Sequence, residues 1–262
     1  MNDSVNTVVT LERVGAHIAL VTLNRPSARN AVSAELAQAM EKIVLELEGD
    51  PQVWVVVLAA SAGSVFCAGA DLKEVAAGNG ASLFTKEGGF AGFVDFYRSK
   101  PWIAAVDGLA LAGGLEILLA CELIVASPRA AFGLPEVKRG LMALAGGLYR
   151  LPRSLPRALA LEMIVTGESL SAERAWQLGL VNHLVASEEV LPKALALAEA
   201  IAANAPIAVR ESLRVARRAA DGDEAELRQM SRQARDCLVC TEDYREGPQA
   251  FIEKRAPNWK GR

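Results

Sequence analysis

The clearest indication of the fold comes from residues 101–127, PWIAAVDGLALAGGLEILLACELIVAS. Residues 101–108 form an apolar run that predicts a strand buried on both faces. Small residues follow, and an apolar helical pattern begins near Gly113, before residues 123–126 predict another short strand. A buried strand, a glycine-rich junction and a helix in immediate succession are typical of α/β proteins.

The same alternation of strands and helices extends from this stretch towards the N-terminus. The apolar residues 7–13 and 17–23 are separated by Gly15 and predict a β-hairpin. Ser33 stands before a series of apolar residues at helical spacing and predicts a helix N-cap. Residues 54–60 predict another buried strand. The first half of the chain therefore has the pattern of an α/β domain.

From about residue 151 the chain is mostly helical. Ser171 predicts the N-cap of a helix that ends near Gly179, and residues 181–185 predict a short strand. Four amphipathic helices follow, at residues 191–203, 206–219, 224–240 and 243–253. The sequence therefore predicts an α/β fold with a helical C-terminal region.

Composition excludes several classes of protein. The 262 residues carry 28 basic and 31 acidic side chains, a net charge of −3, and 52% of them are hydrophobic. This balance is that of a globular chain and not of a disordered one, and it gives no reason to expect binding to nucleic acid or to an anionic membrane. The longest apolar run, residues 109–126, contains Glu116 and Glu122, which argues against a transmembrane helix. No signal-peptide pattern begins the sequence, so we expect a cytoplasmic protein with reduced cysteines.

Nucleotide-binding and metal-binding motifs are missing from the sequence. GLALAGGL, residues 108–115, lacks the Lys-Ser/Thr of a Walker A loop, and no GxGxxG follows a predicted strand. The only histidines, His17 and His183, are too few for a His-rich metal centre. Cys237 and Cys240 form a lone CxxC pair in a helical pattern, which we interpret as packing and not as a zinc or redox site. We therefore expect no metal.

Two junctions between a strand and a helix carry the first functional signal. FCAGADLKE, residues 66–74, and GLALAGGLE, residues 108–116, each place small residues between a strand and a helix start. Small residues let a ligand approach the backbone closely, and the first N–H groups of a helix have no partner within it. Two such donors aimed at one point would form an oxyanion hole. The alternative is a pair of tight turns with a purely structural role.

Two glutamates carry the second signal. Glu116 lies within an apolar helix pattern, where burial would raise its pKa towards neutrality. Glu136 follows Pro135 in FGLPEVKRG. Glu116 could instead reach solvent at the helix end, and Glu136 could be a surface turn residue. If both are near the two backbone donors, they form a general acid/base pair beside an oxyanion hole.

The sequence resembles the enoyl-CoA hydratase/isomerase (crotonase) superfamily over nearly its whole length. The matching stretches occur in family order: NRPSARNAV, VFCAGADLKE, KPWIAAVDGLALAGGLEILLACELIVAS, AAFGLPEVKRG, AGGLYRLPR, EMIVTGESLSAERAWQLGLVN and EGPQAFIEKRAPNWKGR. The last stretch is most similar to bacterial enoyl-CoA hydratases and carnitinyl-CoA dehydratase-like members. The resemblance implies a crotonase-like spiral of ββα units with the CoA site in residues 1–200, and an α-helical trimerisation region in residues 201–262.

The resemblance also implies which residues act. Glu116 and Glu136 match the two catalytic glutamates of hydratases, while Ala70 and Gly113 match the two oxyanion-hole positions, which act through their N–H groups. Arg25 and Lys73 are implied partners for CoA phosphates, and the C-terminal tail is implied to reach the CoA of a neighbouring subunit. The positions implied to bind the substrate are Arg25, Ala68, Ala70, Asp71, Leu72, Lys73, Gly113, Leu144, Phe251 and Lys254.

The implied activity is the reversible syn addition of water to a 2-trans-enoyl-CoA thioester, because both glutamates are kept. The implied assembly is a homotrimer or a dimer of trimers, and no cofactor is implied, since CoA is part of the substrate. Three alternatives stay open: Δ3,Δ2-enoyl-CoA isomerisation, carnitinyl-CoA-type dehydration, and a non-catalytic relative that binds acyl-CoA or RNA. The nearest basic patch for RNA comprises arginines that we interpret as an exposed helix face: Arg210, Arg214, Arg217 and Arg218.

One departure from the family pattern affects the expected pocket. Leu144 stands where relatives often have a glycine whose N–H lies near the catalytic water. Leu141 and Met142 precede it and make the acyl end of the pocket apolar. This favours an apolar acyl group over the polar carnitinyl group.

Overall fold

Two sheets and a two-stranded ribbon carry the strands of the part of the chain that this computed structural model describes, residues 8–61, 63 and 65–262. The larger sheet has the order β1-β2-β3-β7-β9-β12, the smaller sheet β11-β10-β8-β4, and the ribbon pairs β5 with β6. The strands are β1 (Val9–Val14), β2 (Ile18–Leu23), β3 (Val55–Ala60), β4 (Val65–Cys67), β5 (Phe84–Thr85), β6 (Gly89–Phe90), β7 (Trp102–Val106), β8 (Leu109–Leu111), β9 (Leu123–Ala126), β10 (Ala131–Gly133), β11 (Leu170–Ser171) and β12 (His183–Leu184).

Helices cover the sheets and form most of the second half of the chain, as predicted. They are α1 (Ala34–Gly49), α2 (Leu72–Ala76), α3 (Gly113–Leu119), α4 (Gly147–Ser154), α5 (Arg157–Thr166), α6 (Ala172–Gln177), α7 (Val190–Ala202), α8 (Pro206–Ala216), α9 (Glu224–Leu238) and α10 (Glu242–Glu253). A 3-10 helix, Pro135–Arg139, follows β10 and has a part in the site described below.

The larger sheet is buried on both faces, which explains its continuous apolar strands. Alternate residues of a strand point to opposite faces. Accordingly, Val56 and Leu58 pack in the main core with α1, whereas Val55 and Val57 pack in a second cluster with α7. The predicted hairpin is confirmed: β1 and β2 pair antiparallel, with Val9 opposite Leu23. Residue 7, the first of the predicted strand, lies outside the described residues. The other pairings that join β2, β3, β7, β9 and β12 are parallel.

The smaller sheet determines where a site can form. Its strands β4, β8 and β10 lie side by side and run parallel, with Ala110 of β8 opposite Cys67 of β4 and Phe132 of β10. Their carboxyl ends therefore reach the same edge of the sheet. Ligands of open α/β sheets bind outside such an edge. The segments that leave the three strands begin at Ala68, Ala112 and Leu134.

Local capping signals were predicted correctly. The Ser33 hydroxyl accepts from the Leu36 N–H (3.2 Å), and the Ser171 hydroxyl accepts from the Arg174 N–H (3.3 Å). Each bond satisfies one of the N–H groups that a helix start leaves unpaired. Gly179 has a φ of +83° just beyond α6, as expected of a glycine after a helix end.

Two interpretations of the helical region were wrong. The arginines interpreted as an exposed helix face are mostly half-buried: Arg214 pairs with Glu211 and Arg217 with Glu122, and Arg210 is also half-buried, while only Arg218 of the four is exposed. Cys237 and Cys240 are exposed thiols and do not pack in the core. Helical periodicity placed both groups on helices, but it could not show which face meets the sheet.

Within the described residues, no single helix is long and apolar enough to cross a membrane. One pair of consecutive segments meets the length and composition criteria together, but it is bent by 105° at the break between Ser187–Ala202 and Pro206–Ala216.

Candidate active site

A cavity of about 1300 Å³ opens at the edge where the three parallel strands end. Ligand sites are typically clefts of about 300–1,000 Å³ lined by apolar groups with a few polar ones. The walls of this cavity come from the loop after β2, the β4–α2 junction, the β8–α3 junction and the 3-10 helix with the loop that follows it. All four residues predicted for the reaction line it: Ala70, Gly113, Glu116 and Glu136.

The first junction presents the N–H of Ala70. Val32 fixes the backbone on both sides of it, since the Val32 N–H donates to Gly69 O (2.8 Å) and the Asp71 N–H donates to Val32 O (2.9 Å). The Ala70 N–H lies between these bonds and donates to no group among the described residues. The junction therefore holds this donor in place and leaves it available to a ligand.

The second junction presents the N–H of Gly113, the first residue of α3. Ala112 before it has a φ of +53° and a ψ of −128°, a sparsely populated conformation for a residue with a side chain. The Ala112 N–H donates to Gly133 O (2.9 Å), which ties this turn to β10. Strain of this kind persists where the surrounding structure over-determines it, as at functional sites. The Gly113 N–H has no acceptor among the described residues.

Glycine is required where the two junctions touch. A Cβ on Gly69 would lie 2.7 Å from the Ala112 Cβ and 2.9 Å from the Gly113 nitrogen. A Cβ on Gly113 would lie 2.3 Å from Cε1 of Phe90. The two donors are therefore neighbours in space, although Ala70 and Gly113 are far apart in the sequence.

Glu116 is buried one turn into α3, with 3% of its surface exposed. Its Oε1 accepts from the N–H groups of Ala145 (2.7 Å) and Gly147 (2.9 Å), at the turn before α4. Burial raises its pKa to about 7, the two N–H donors oppose that rise, and the charge of Glu136 adds to it. The alternative of a carboxylate that reaches solvent is wrong. Glu116 has the pKa of a group that exchanges protons near neutrality.

Glu136 is half-buried in the 3-10 helix that follows β10. Burial raises its pKa, while its own backbone N–H and Arg139 oppose that rise. Its Oε2 is buried and has no hydrogen-bond partner among the described residues. An unpaired buried carboxylate oxygen favours the protonated form. The two glutamates therefore differ in hydrogen bonding, because Oε1 of Glu116 accepts from two N–H groups, whereas Oε2 of Glu136 has no donor among the described residues.

Six further residues of the predicted substrate site line the cavity: Arg25, Ala68, Asp71, Leu72, Lys73 and Leu144. Arg25 already binds two groups of the protein, since it pairs with Asp71 (3.2 Å) and donates to Ala31 O. Lys73 is exposed at the start of α2. Leu144 is 69% exposed at the rim.

Phe251 and Lys254 do not line this cavity in the same chain. Phe251 is 85% exposed on α10, and Lys254 ends that helix with a φ of +55°. Four further lining residues were not predicted from the sequence: Arg29 and Arg139, which add positive charge to the cavity lining, and Phe84 and Phe90, which add aromatic rings. Sequence neighbours could have indicated both arginines, since Arg29 lies in the same loop as Arg25 and Arg139 follows Glu136 by three residues. The two rings depend on how distant segments pack.

Comparison with known proteins gives one consistent result. The enoyl-CoA hydratase/isomerase family model matches residues 13–262. A carnitinyl-CoA dehydratase of Salmonella typhi is 39% identical over 247 residues, which cover 92% of this chain and 94% of that protein. Crystal structures of an enoyl-CoA hydratase from Mycobacterium tuberculosis H37Rv and a carnitinyl-CoA hydratase from Mycobacterium avium are also similar. The first is 42% identical with a TM-score of 0.93 and covers 98% of this chain and 100% of that one. The second is 44% identical with a TM-score of 0.76 and covers 98% and 99%.

The fold is thus the α/β crotonase fold that these hydratases share, which confirms the predicted fold class. The chain belongs to the enoyl-CoA hydratase/isomerase family. It is therefore an enzyme of the crotonase superfamily, and an acyl-CoA thioester is the class of substrate consistent with that family.

Proposed function

We propose that the protein is an enoyl-CoA hydratase that adds water reversibly and syn across the double bond of a 2-trans-enoyl-CoA thioester. The observation that carries this proposal is the convergence of two unlike glutamates and two unused backbone N–H groups on one cavity. The N–H groups suit a thioester oxygen that becomes negative, and the carboxyl groups suit two proton transfers.

In this scheme the thioester carbonyl oxygen accepts from the N–H groups of Ala70 and Gly113. Addition of water to the β-carbon moves the electrons of the double bond towards the carbonyl, which gives an enolate oxygen. A donor of this kind is typically worth about 2.7–4 kcal/mol in the transition state. The scheme calls for no metal ion and no redox cofactor.

The two glutamates then divide the proton transfers. Glu116, which can lose its proton near neutrality and whose Oε1 is oriented by the N–H groups of Ala145 and Gly147, orients the water in its carboxylate form and accepts its proton as the oxygen bonds to the β-carbon. Glu136, whose pKa is raised by burial, donates a proton from its protonated form to the α-carbon as the enolate collapses. The product is a 3-hydroxyacyl-CoA, and the proton on Glu116 can return to Glu136 through solvent.

Carnitinyl-CoA dehydration is the second candidate, because relatives named for carnitinyl-CoA are 39% and 44% identical to this chain. The rim of the cavity argues for the first candidate. Four exposed apolar side chains line it and suit an alkyl chain better than a quaternary ammonium group: Leu72, Leu141, Met142 and Leu144. Isomerisation of a 3-enoyl-CoA needs only one carboxylate and would leave the second without a task.

A panel of CoA thioesters tests these candidates. We expect loss of the 2-enoyl absorbance with straight-chain 2-enoyl-CoA, and little turnover of carnitinyl-CoA. Glu116→Gln and Glu136→Gln should each fold and bind CoA, and each should hydrate about 10²–10⁴-fold more slowly. Near wild-type hydration by either variant would contradict the two-carboxylate scheme. Wild-type double-bond migration by Glu136→Gln would favour the isomerase.

We also propose that the chain assembles as a homotrimer or a dimer of trimers. Phe251 and Ile252 support this, because they are 85% and 78% exposed side by side on α10. Adjacent large apolar side chains on a surface are typical of an interface. In such an assembly the tail could contact the CoA site of a neighbouring subunit.

A further inference from the structure

The turn that binds Glu116 is itself held from behind by an arginine of α4. Arg150 donates through Nη1 to Ala145 O (3.2 Å) and through Nη2 to Val94 O (2.7 Å). Its guanidinium packs directly on the turn, since a Cβ on Gly146 would lie 2.5 Å from Nη1 and 3.0 Å from Cζ. Arg150 thus joins the turn to the separate segment that contains Val94.

The carbonyl that Arg150 binds lies between the two donors of Glu116. The N–H groups of Ala145 and Gly147 belong to the peptide units on either side of the unit that carries Ala145 O. Gly146, with a φ of +104°, turns the chain so that both N–H groups face one carboxylate oxygen. Successive N–H groups in such a turn make an anion-binding concavity. A change of the backbone angles on either side of the middle peptide, at Ala145 or Gly146, would therefore move the two donors relative to each other unless the angles compensate.

We propose that Arg150 is a positioning residue, which fixes the 145–147 turn in the orientation where both N–H groups meet Glu116. Arg150 lines a second cavity of about 820 Å³, behind α3 and α4, and it does not line the cavity that holds the glutamates. It therefore acts through the turn and not on the substrate. The proposal rests on the proposed function for its catalytic consequence, but the geometry of Glu116 can be followed without substrate.

Charged side chains surround both Glu116 and Arg150. Within the described part of the chain, two charges shift the pKa of Glu116: Glu136, from the 3-10 helix, raises it, and Arg150, from α4, lowers it. The charged side chains that line the second cavity with Arg150 are Asp95, Arg98, Glu122, Arg153, Arg217 and Asp221. Arg153 offers a matched control because it lies on the same helix. The guanidinium carbons of Arg150 and Arg153 lie 5.4 Å and 5.7 Å from the centre of the Tyr149 ring. Arg153, however, pairs with Asp221.

The test compares Arg150→Met, Arg150→Lys and Arg153→Met with the wild type. Infrared difference spectroscopy follows protonation of Glu116 as the pH is changed, with the band assigned by its absence in Glu116→Gln. We expect the midpoint for Glu116 to rise by about half a pH unit or more in Arg150→Met, since an anion loses donors and a nearby cation. Arg150→Lys keeps the charge but not the two-carbonyl bridge, so its shift should be smaller. Arg153→Met should titrate as the wild type.

Kinetics supply the second readout. We expect kcat for hydration to fall about tenfold or more in Arg150→Met with KM nearly unchanged, as for an interaction used only in the transition state. A wild-type midpoint and kcat in a folded Arg150→Met, or an equal shift in Arg153→Met, would overturn the proposal. If Arg150→Met does not fold, a wild-type midpoint in Arg150→Lys overturns it instead. If the wild type hydrates no 2-enoyl-CoA, the proposed function fails, while the infrared midpoints still decide the role of Arg150.

Discussion

Replacing Gly69 by alanine would insert a methyl group between the two junctions that present the proposed oxyanion donors. The new Cβ would lie 2.9 Å from the Gly113 nitrogen and 2.7 Å from the Ala112 Cβ, where ordinary contact begins at 3.4 Å. The Gly113 N–H would therefore have to move by about 0.5 Å relative to Gly69. Both neighbours in this contact are backbone or Cβ atoms, so no flexible side chain can absorb the change.

The size of the effect follows from this displacement. Loss of one donor costs about 10²–10³ in kcat, and a misplacement of about 1 Å costs about 10². We therefore expect kcat for hydration to fall roughly 10- to 100-fold in Gly69→Ala. Stability should fall as well, by about 1–2 kcal/mol for a left-handed residue with a side chain and about 1–3 kcal/mol for overpacking.

Gly15→Ala provides the control for backbone strain. Gly15 and Gly69 both have a positive φ, +65° and +89°. A Cβ added at Gly15, however, would have no atom within 4 Å. This variant should lose stability and keep kcat. Stopped-flow or steady-state hydration kinetics and urea unfolding of both variants supply the measurements. A folded Gly69→Ala with wild-type kcat, or an equal loss of kcat in Gly15→Ala, would show that the contact at Gly69 does not hold the Gly113 N–H in its catalytic position.

Two more predictions concern Glu116 and the surface of α10. Burial raises the pKa of Glu116 from 4.5 to about 7, so the folded protein holds this proton more tightly than the unfolded chain and loses stability as the pH rises from about 4.5 to about 7. Glu116→Gln cannot ionise and should lose less stability over that window, as measured by urea midpoints at pH 5 and pH 8; an identical pH dependence in both proteins would contradict this. Phe251→Ser should lower the mass measured by light scattering without lowering the melting temperature of the protomer. Val165→Ser is the control: Val165 is 71% exposed on α5, and its replacement should not lower the mass. A wild-type protein that is already monomeric would rule out the assembly.

Local sequence signals predicted the elements of the fold well. The hairpin around Gly15, the caps at Ser33 and Ser171 and the buried strands each depend on a few neighbouring residues, which a sequence displays directly. The family resemblance added the positions of the proposed site residues, and the structure brings Ala70, Gly113, Glu116 and Glu136 to one cavity.

Contacts between distant segments could not be predicted in the same way. The bonds from Ala145 and Gly147 to Glu116 join residues about thirty positions apart, and no periodicity indicates them. The ion pair of Arg217 with Glu122 likewise joins α8's C-terminal end to the residues after α3, which is why a helix pattern alone predicted an exposed face. The sequence therefore indicated which helices and strands form, but not how they are oriented relative to one another.

The residues proposed to transfer protons and to bind the thioester lie beyond the ends of β4, β8 and β10, and not among the residues whose pairing holds the smaller sheet together. Each strand contributes its part of the site from the segment beyond its last ladder bond, so an exchange of side chain there leaves the strand pairing intact. Glu136 illustrates this, because its buried Oε2 bonds to nothing in the described chain. Evolution could remove or replace that carboxylate while the two N–H groups continue to bind a thioester carbonyl. Such a scaffold can change its reaction through single substitutions at one edge, without a new fold and without a new way to hold the substrate.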